Sequence, residues 1–149
     1  MLRLQKATVR EILRWASQHP GAEVCGLVWG SGRPGAFRQT VWPLPNVHPD
    51  PHQYYRTAPK DVRAAFDVMD QQGGTPLAWY HSHPSGKSDP SETDMAGAFN
   101  VGMHYLIAYP EAIVDEAQER PGYLRQWLLS AWECLEIGLL VSADYLEVP

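Results

Sequence analysis

The chain is 149 residues long, 44% hydrophobic and 19% charged, which places it among globular proteins with a real core rather than disordered ones. That length falls within the usual size of one domain, so a single domain over residues 1–149 is expected. A net charge of −5 leaves no basic footprint for nucleic acid or an anionic membrane, and no apolar run is long enough to span a bilayer.

In chain order, Met1–Lys6 reads as leading straight into a helix without a signal-peptide core, which makes the cytoplasm the expected location. Thr8 and Glu11 read as a capping box. Val9, Ile12, Leu13 and Ala16 recur at helical spacing until His19-Pro20-Gly21 stops them. Glu23–Gly30 reads as a strand bounded by glycines, Ser31–Gly35 as a turn, and Phe37–Trp42 as a second strand. The polar connection 46–57 carries Tyr54 and Tyr55, which suit either substrate contact or buried anchoring. A helix over Pro59–Gln72 follows, with Val62, Phe66 and Met69 on its apolar face and Gly73-Gly74 at its end. Leu77–His83 reads as a short buried strand and His104–Tyr109 as another. Farther on, Leu124, Trp127, Leu128, Ala131 and Leu135 fit helical spacing.

The chemistry concentrates in His81-Ser82-His83-Pro84 followed by Ser91 and Asp94, the pattern H-S-H-P-x₆-S-x₂-D. Side chains alternate along a strand, so His81 and His83 face the same way. Pro84 ends the strand, and a polar loop over Ser85–Pro90 leads to Ser91, a good N-cap residue with Asp94 at the third helical position. First-turn side chains lean back toward the N-terminus, which brings the Asp94 carboxylate toward the histidines. Two imidazoles and a carboxylate make three protein ligands, the number a catalytic zinc site uses when it keeps a fourth position for water. A lone H-x-H is usually a polar edge, and S-x-x-D an ordinary helix start. Together and in this order they supply a site's geometry. Far upstream, Glu23 heads an apolar strand, where burying a carboxylate is costly without a partner.

The pattern E-x-C-G-L-V followed by H-S-H-P-x₆-S-x₂-D resembles the JAMM (MPN-plus) metalloprotease family, over roughly Leu4–Val141 and including Pro45–Val47 and the helix from Pro59. The resemblance implies that His81, His83 and Asp94 bind one zinc ion per chain. It further implies that Glu23 is the general acid/base and that Ser91 helps hold the oxyanion. Cys25 and Ser82 are expected to stand behind these groups. The implied fold is α/β (α+β): a curved, mostly antiparallel sheet packed by helices, layered like a cytidine deaminase, with the metal at one sheet edge. It also implies strands at about Leu124–Leu129 and Glu133–Val141, against the helical periodicity.

The implied reaction is amide hydrolysis without a covalent intermediate, after the Gly-Gly tail of a ubiquitin-like or sulfur-carrier protein. The excursion Glu111–Gly122 is the only sizeable one after Asp94 and leaves little room for substrate-selecting insertions. Alternatives are a peptidase of phage-tail or cell-wall type and a non-catalytic scaffold of the same fold. A zinc nucleobase deaminase would need H-x-E with P-C-x-x-C, and the chain has no C-x-x-C. Cys25 and Cys134, the only cysteines, read as reduced thiols, Cys25 as a small buried side chain. His19, His48, His52 and His104 lack ligand spacing and are expected to be surface or structural. Trp79 shares the histidines' face, with core packing as its default.

Overall fold

A six-stranded sheet runs through the molecule with helices on both faces. The computed structural model describes residues 1–112 and 125–149. In chain order the elements are β1 (Leu2–Gln5), α1 (Lys6–Gln18), β2 (Cys25–Ser31), β3 (Arg38–Leu44), α2 (Pro59–Gln71), β4 (Thr75–Ser82), α3 (Glu92–Ala96), β5 (His104–Ala112), β6 (Arg125–Glu136), β7 (Leu139–Ala143) and β8 (Tyr145–Val148). The sheet order is β3-β2-β4-β5-β6-β7. Within this sheet, among the described residues, β4 and β5 pair in parallel and the other neighbours are antiparallel. The mostly antiparallel α+β architecture expected from the sequence is the one observed.

Strand alternation divides the core into two layers. Val28 of β2, Ala78 and Tyr80 of β4, Leu106 and Ala108 of β5 and Leu129 and Ala131 of β6 pack with Val9, Ile12 and Ala16 of α1. On the other face, Leu27 and Trp29 pack with Met69 and Phe66 of α2, and Cys25 with Ala65 and Val62. Gly26 is a packing requirement: a Cβ there would overlap the Tyr80 ring and the Trp42 carbonyl. Among the described residues, no helix is long and apolar enough to cross a membrane.

Several sequence expectations shift. Met1–Lys6 does not lead straight into a helix, because β1 pairs in parallel with β8. Thr8 and Glu11 form no capping box. The N-cap of α1 is Gln5 without a side-chain bond, and the buried Thr8 hydroxyl donates to Gln39 Oε1 at 2.9 Å. Glu23 lies ahead of its strand, which begins at Cys25. The segment expected as strands at 124–129 and 133–141 holds one continuous strand over Arg125–Glu136 and a second after the turn at Gly138, whose φ is +84°. The helical periodicity arose because β6 is buried on both faces, with Trp127, Leu129 and Ala131 on the α1 side and Trp132 and Cys134 on the other. Apolar residues on both faces satisfy several periods at once. Of the excursion Glu111–Gly122, Glu111 and Ala112 complete β5; the rest, and Leu124, lie outside the described residues.

Candidate metal centre

The motif residues converge at the C-terminal end of β4. This is the third strand in the sheet order, so the site is at strand ends in the middle of the sheet rather than along a lateral edge. His81 is the penultimate residue of β4, and His83 follows the strand directly, with its N–H donating to Ala108 O of the parallel neighbour at 2.8 Å. Ser91 caps α3 as expected. Its Oγ accepts from Asp94 N at 3.0 Å, and Ser91 N–H donates to Asp94 Oδ2 at 2.9 Å, a reciprocal capping box. That second bond turns the Asp94 carboxylate back toward β4.

Three donor atoms therefore meet. Asp94 Oδ2 lies 3.1 Å from His81 Nε2 and 2.9 Å from His83 Nε2, and the two Nε2 atoms are 3.0 Å apart. His83 Nδ1 is 2.8 Å from Lys87 O. A carbonyl only accepts, so Nδ1 carries a proton and Nε2 is the ring nitrogen left to offer a lone pair on the Asp94 side. Glu23 joins them: one donor atom from each of Glu23, His81, His83 and Asp94 lies within 4.8 Å of the others. Glu23 is 5% exposed, and its Oε1 is buried with no hydrogen-bond partner among the described residues. Lone pairs aimed at one point beside an orphaned carboxylate oxygen call for a cation between them, so the donor set fits a metal ion.

Electrostatics agree with the geometry. Burial, reinforced by Asp94 and Asp50, pushes the Glu23 carboxyl up to about 9. Burial lowers His81, outweighing its bond to Asp94, and so favours the neutral imidazole that a metal requires. Burial alone would raise Asp94, but the His81 and His83 rings beside it and the bond from Ser91 N–H hold it well below the usual carboxylate range.

The supporting residues divide by contact. Ser82, wholly buried, ties Val24 in both directions: Val24 N–H donates to Ser82 Oγ and Ser82 N–H to Val24 O, each at 2.9 Å. This fixes the residue after Glu23 beside β4. Cys25 is buried opposite His81 in the β2–β4 register, and burial, then Glu23, pushes its thiol up to about 12. The Tyr55 ring stacks on His81, with centroids 4.5 Å apart and planes at 24°, which sequence periodicity had no means of assigning. Trp79 packs in the α2-side core, and its Nε1–H donates to Asn100 Oδ1.

His19 and His48 are structural: His19 lies against Trp15, and His48 Nδ1 accepts from Asp50 N at 2.9 Å. His52, also expected to be surface or structural, lines a cleft of about 560 Å³ together with Glu23, His83, Lys87 and Ser91. A second cleft of about 450 Å³ runs over Tyr55, Val62, Trp79, Phe99 and Tyr105 to Asp94. Tyr54 and Thr93 border both, so the cluster sits between two neighbouring recesses.

The family description "prokaryotic homologs of the JAB domain" matches residues 5–128. The chain is 31% identical over 96 residues to the desampylase of Haloferax volcanii, covering 64% of this chain and 68% of that protein. It is 42% identical over 60 residues to a probable TtuB-protein conjugate cleaving protease of Thermus thermophilus, covering 40% of each. To the tail tip assembly protein K of Escherichia phage N15 it is 28% identical over 144 residues, covering 93% of this chain and 54% of that protein. The solution structure of a Desulfitobacterium hafniense protein superposes with a TM-score of 0.73 at 23% identity, covering 99% of this chain and 93% of that one. One from Salinibacter ruber gives 0.62 at 24%, covering 99% and 92%. At these identities the structural likeness concerns the fold alone.

Proposed function

This chain belongs to the family of prokaryotic JAB-domain homologues, and on that premise we propose that it is a zinc-dependent peptidase or isopeptidase. Its substrate would be the amide bond after the C-terminal Gly-Gly tail of a ubiquitin-like or sulfur-carrier protein. The JAMM likeness of the motif is borne out by that membership. The observation carrying the reading is the convergence of His81, His83, Asp94 and the orphaned Glu23 between two clefts. Relatives named as a desampylase and as a conjugate-cleaving protease supply the substrate class.

His81 Nε2, His83 Nε2 and Asp94 Oδ2 would hold one zinc per chain, in keeping with the two-nitrogen, one-carboxylate set of a catalytic site. Zinc supplies Lewis acidity there, activating water near neutral pH and polarising a carbonyl. A cation bound among these residues would offset the burial that raises Glu23, leaving its carboxylate able to take a proton from the attacking water and pass it to the leaving amine. Ser91 Oγ accepts from Asp94 N, which leaves its O–H free to turn toward the tetrahedral oxyanion. Lys87 O keeps His83 in the productive tautomer, while Ser82 and Cys25 set the spacing of β2 and β4 behind the site.

The reading takes residues 1–149 as one domain, supported by the shared core of α1 and the six-stranded sheet. A cytoplasmic location is part of it, supported by two free, buried thiols; neither nucleic acid nor membrane is a partner, in keeping with the charge of −5. The test is incubation of zinc-loaded protein with a carrier extended beyond its Gly-Gly, with and without chelator. Release of carrier ending at Gly-Gly, abolished by chelation and restored by zinc, is the expected result. No cleavage of linear or lysine-linked extensions would overturn it. The match to the phage tail tip assembly protein across 93% of this chain favours a second reading, a peptidase of tail or cell-wall peptides, for which peptidoglycan-derived peptides are the substrates to compare.

A further inference from the structure

Glu23 stands outside the strand ladder. The β2 register begins at Cys25, opposite Leu44 on one side and His81 on the other, so no sheet hydrogen bond holds the main chain at Glu23. Its side chain is not fixed through Oε1 either, which has no partner among the described residues. Ser82 ties the following residue, Val24; the bonds at Glu23's own N–H and carbonyl come from the 46–56 segment. Glu23 N–H donates to Pro51 O at 2.7 Å, and Glu23 O accepts from Asn46 Nδ2 at 2.9 Å.

Asn46 does more than close this one contact. Its Nδ2 also donates to Tyr54 O at 3.0 Å, and its Oδ1 accepts from His48 N and Arg56 N, each at 3.1 Å. One side-chain amide thus uses two donors and two acceptors, and Val47 N–H adds a bond to Arg56 O at 2.8 Å. The same amide therefore shapes the segment that supplies Pro51 O and binds the carbonyl of the residue that this segment grips. It also sets the chain on either side of Tyr55, the ring stacked on His81. A solvated loop asparagine would not need four main-chain partners, three in its own loop and one at distant Glu23.

We infer that Asn46 is a positioning residue for catalysis: it clamps the peptide at Glu23 so that the buried carboxylate meets the proton it must move. The inference rests on the reading of Glu23 as general base. Asn46→Asp is the sharpest variant, because a carboxylate still accepts from His48 N and Arg56 N but sets an oxygen against Glu23 O and Tyr54 O. Zinc-loaded Asn46→Asp should keep its zinc content and its KM within about twofold while kcat falls on the order of tenfold to a hundredfold, the scale of a small misplacement of a reacting group. In metal-free protein, hydrogen exchange at the Glu23 amide should accelerate while that of Leu106, in the central β5, stays unchanged. This readout needs no catalysis.

In a Glu23→Gln background, Asn46→Asp should cost nothing further, because its effect passes through Glu23. A wild-type kcat, an unaltered Glu23 amide, or the same fractional loss with Gln at position 23 each overturns the inference. Should the carboxylate prevent folding, Asn46→Ala, which removes all four bonds without adding charge, is read by the same measurements. Full turnover by Glu23→Gln itself would instead sink the general-base reading, so the two failures are distinguishable.

Discussion

At the scale of single residues, Glu23 and Asp94 are two carboxylates whose surroundings push them in opposite directions. Asp94 is held ionised by the histidines and Ser91 N–H, and Glu23 is driven toward its neutral form by burial, Asp94 and Asp50. Asp94→Ala should therefore abolish most zinc binding, measured as metal per chain by elemental analysis; full stoichiometry in that variant would remove Asp94 from the metal. Glu23→Gln should keep its zinc and lose turnover by ~10²–10⁴, the usual contribution of a general acid/base. A rate within about tenfold of wild type, ~1.4 kcal/mol, would rule that role out. The same carboxyl makes a prediction for metal-free protein. Its folded pKa of about 9 lies above its ordinary value of 4.5, so between those limits the folded state retains a proton that the unfolded chain has lost. Metal-free stability therefore declines as pH rises through this window, at most about 1.4 kcal/mol per pH unit. His81, lowered by burial, acts in the opposite sense below its ordinary pKa, but it is common to both proteins. Glu23→Gln should thus melt above wild type at pH 8, with the gap closing toward pH 5, as calorimetry without metal would show. A gap independent of pH would mean that Glu23 is ionised in the folded apoprotein.

At the scale of elements, α3 is a five-residue helix whose N-cap lies beside the metal-binding cluster, so capping and chemistry can be separated by substitution. Ser91→Ala removes a cap and should cost about 0.5–2 kcal/mol of stability. If the hydroxyl also donates to the oxyanion, kcat should fall ~10²–10³-fold with little change in KM. Ser91→Asp restores a cap but offers no proton, so it should recover stability and not rate. A zinc-loaded Ser91→Asp with near-wild-type kcat would reduce Ser91 to a structural cap. This element was legible in the sequence because strand end, proline stop, N-cap and carboxylate lie within fourteen residues, from His81 to Asp94, where local rules operate. β6 was not legible, since a strand buried on both faces presents no single period. β1 and β8 are four residues each and pair across almost the whole chain, so no local pattern marks them. Thr8 looked like a cap because it precedes an apolar stripe, yet its hydroxyl is engaged by Gln39 in tertiary structure.

At the scale of the whole molecule, the cluster joins three separate stretches of chain: Glu23 ahead of β2, the histidines at the end of β4, and Asp94 in α3. The histidine-carboxylate half could be read from spacing. Glu23 could be named from its place at the head of an apolar strand and from the family likeness, but its placement beside the histidines depends on the antiparallel β2–β4 pairing, and the recruitment of Asn46 and Tyr55 by hydrogen bonds and stacking leaves no sequence period at all. A cation bound among these stretches is bound only by the folded state, because the unfolded chain scatters the donors. Binding free energy then becomes folding free energy. At zinc a hundredfold above Kd the gain is about 2.7 kcal/mol, which for a domain of this size raises Tm by roughly 5–10 °C. His83→Ala removes one donor and the Lys87-oriented imidazole, and should show little of that rise while leaving α1 and its core untouched. Glu23→Gln keeps the three proposed ligands and should show the full rise even though it turns over poorly. Scanning calorimetry with zinc added to chelator-stripped protein separates these cases. An equal rise in wild type and His83→Ala would mean that zinc stabilises the fold from some other place, and the assignment of the cluster as the metal site would fall with it.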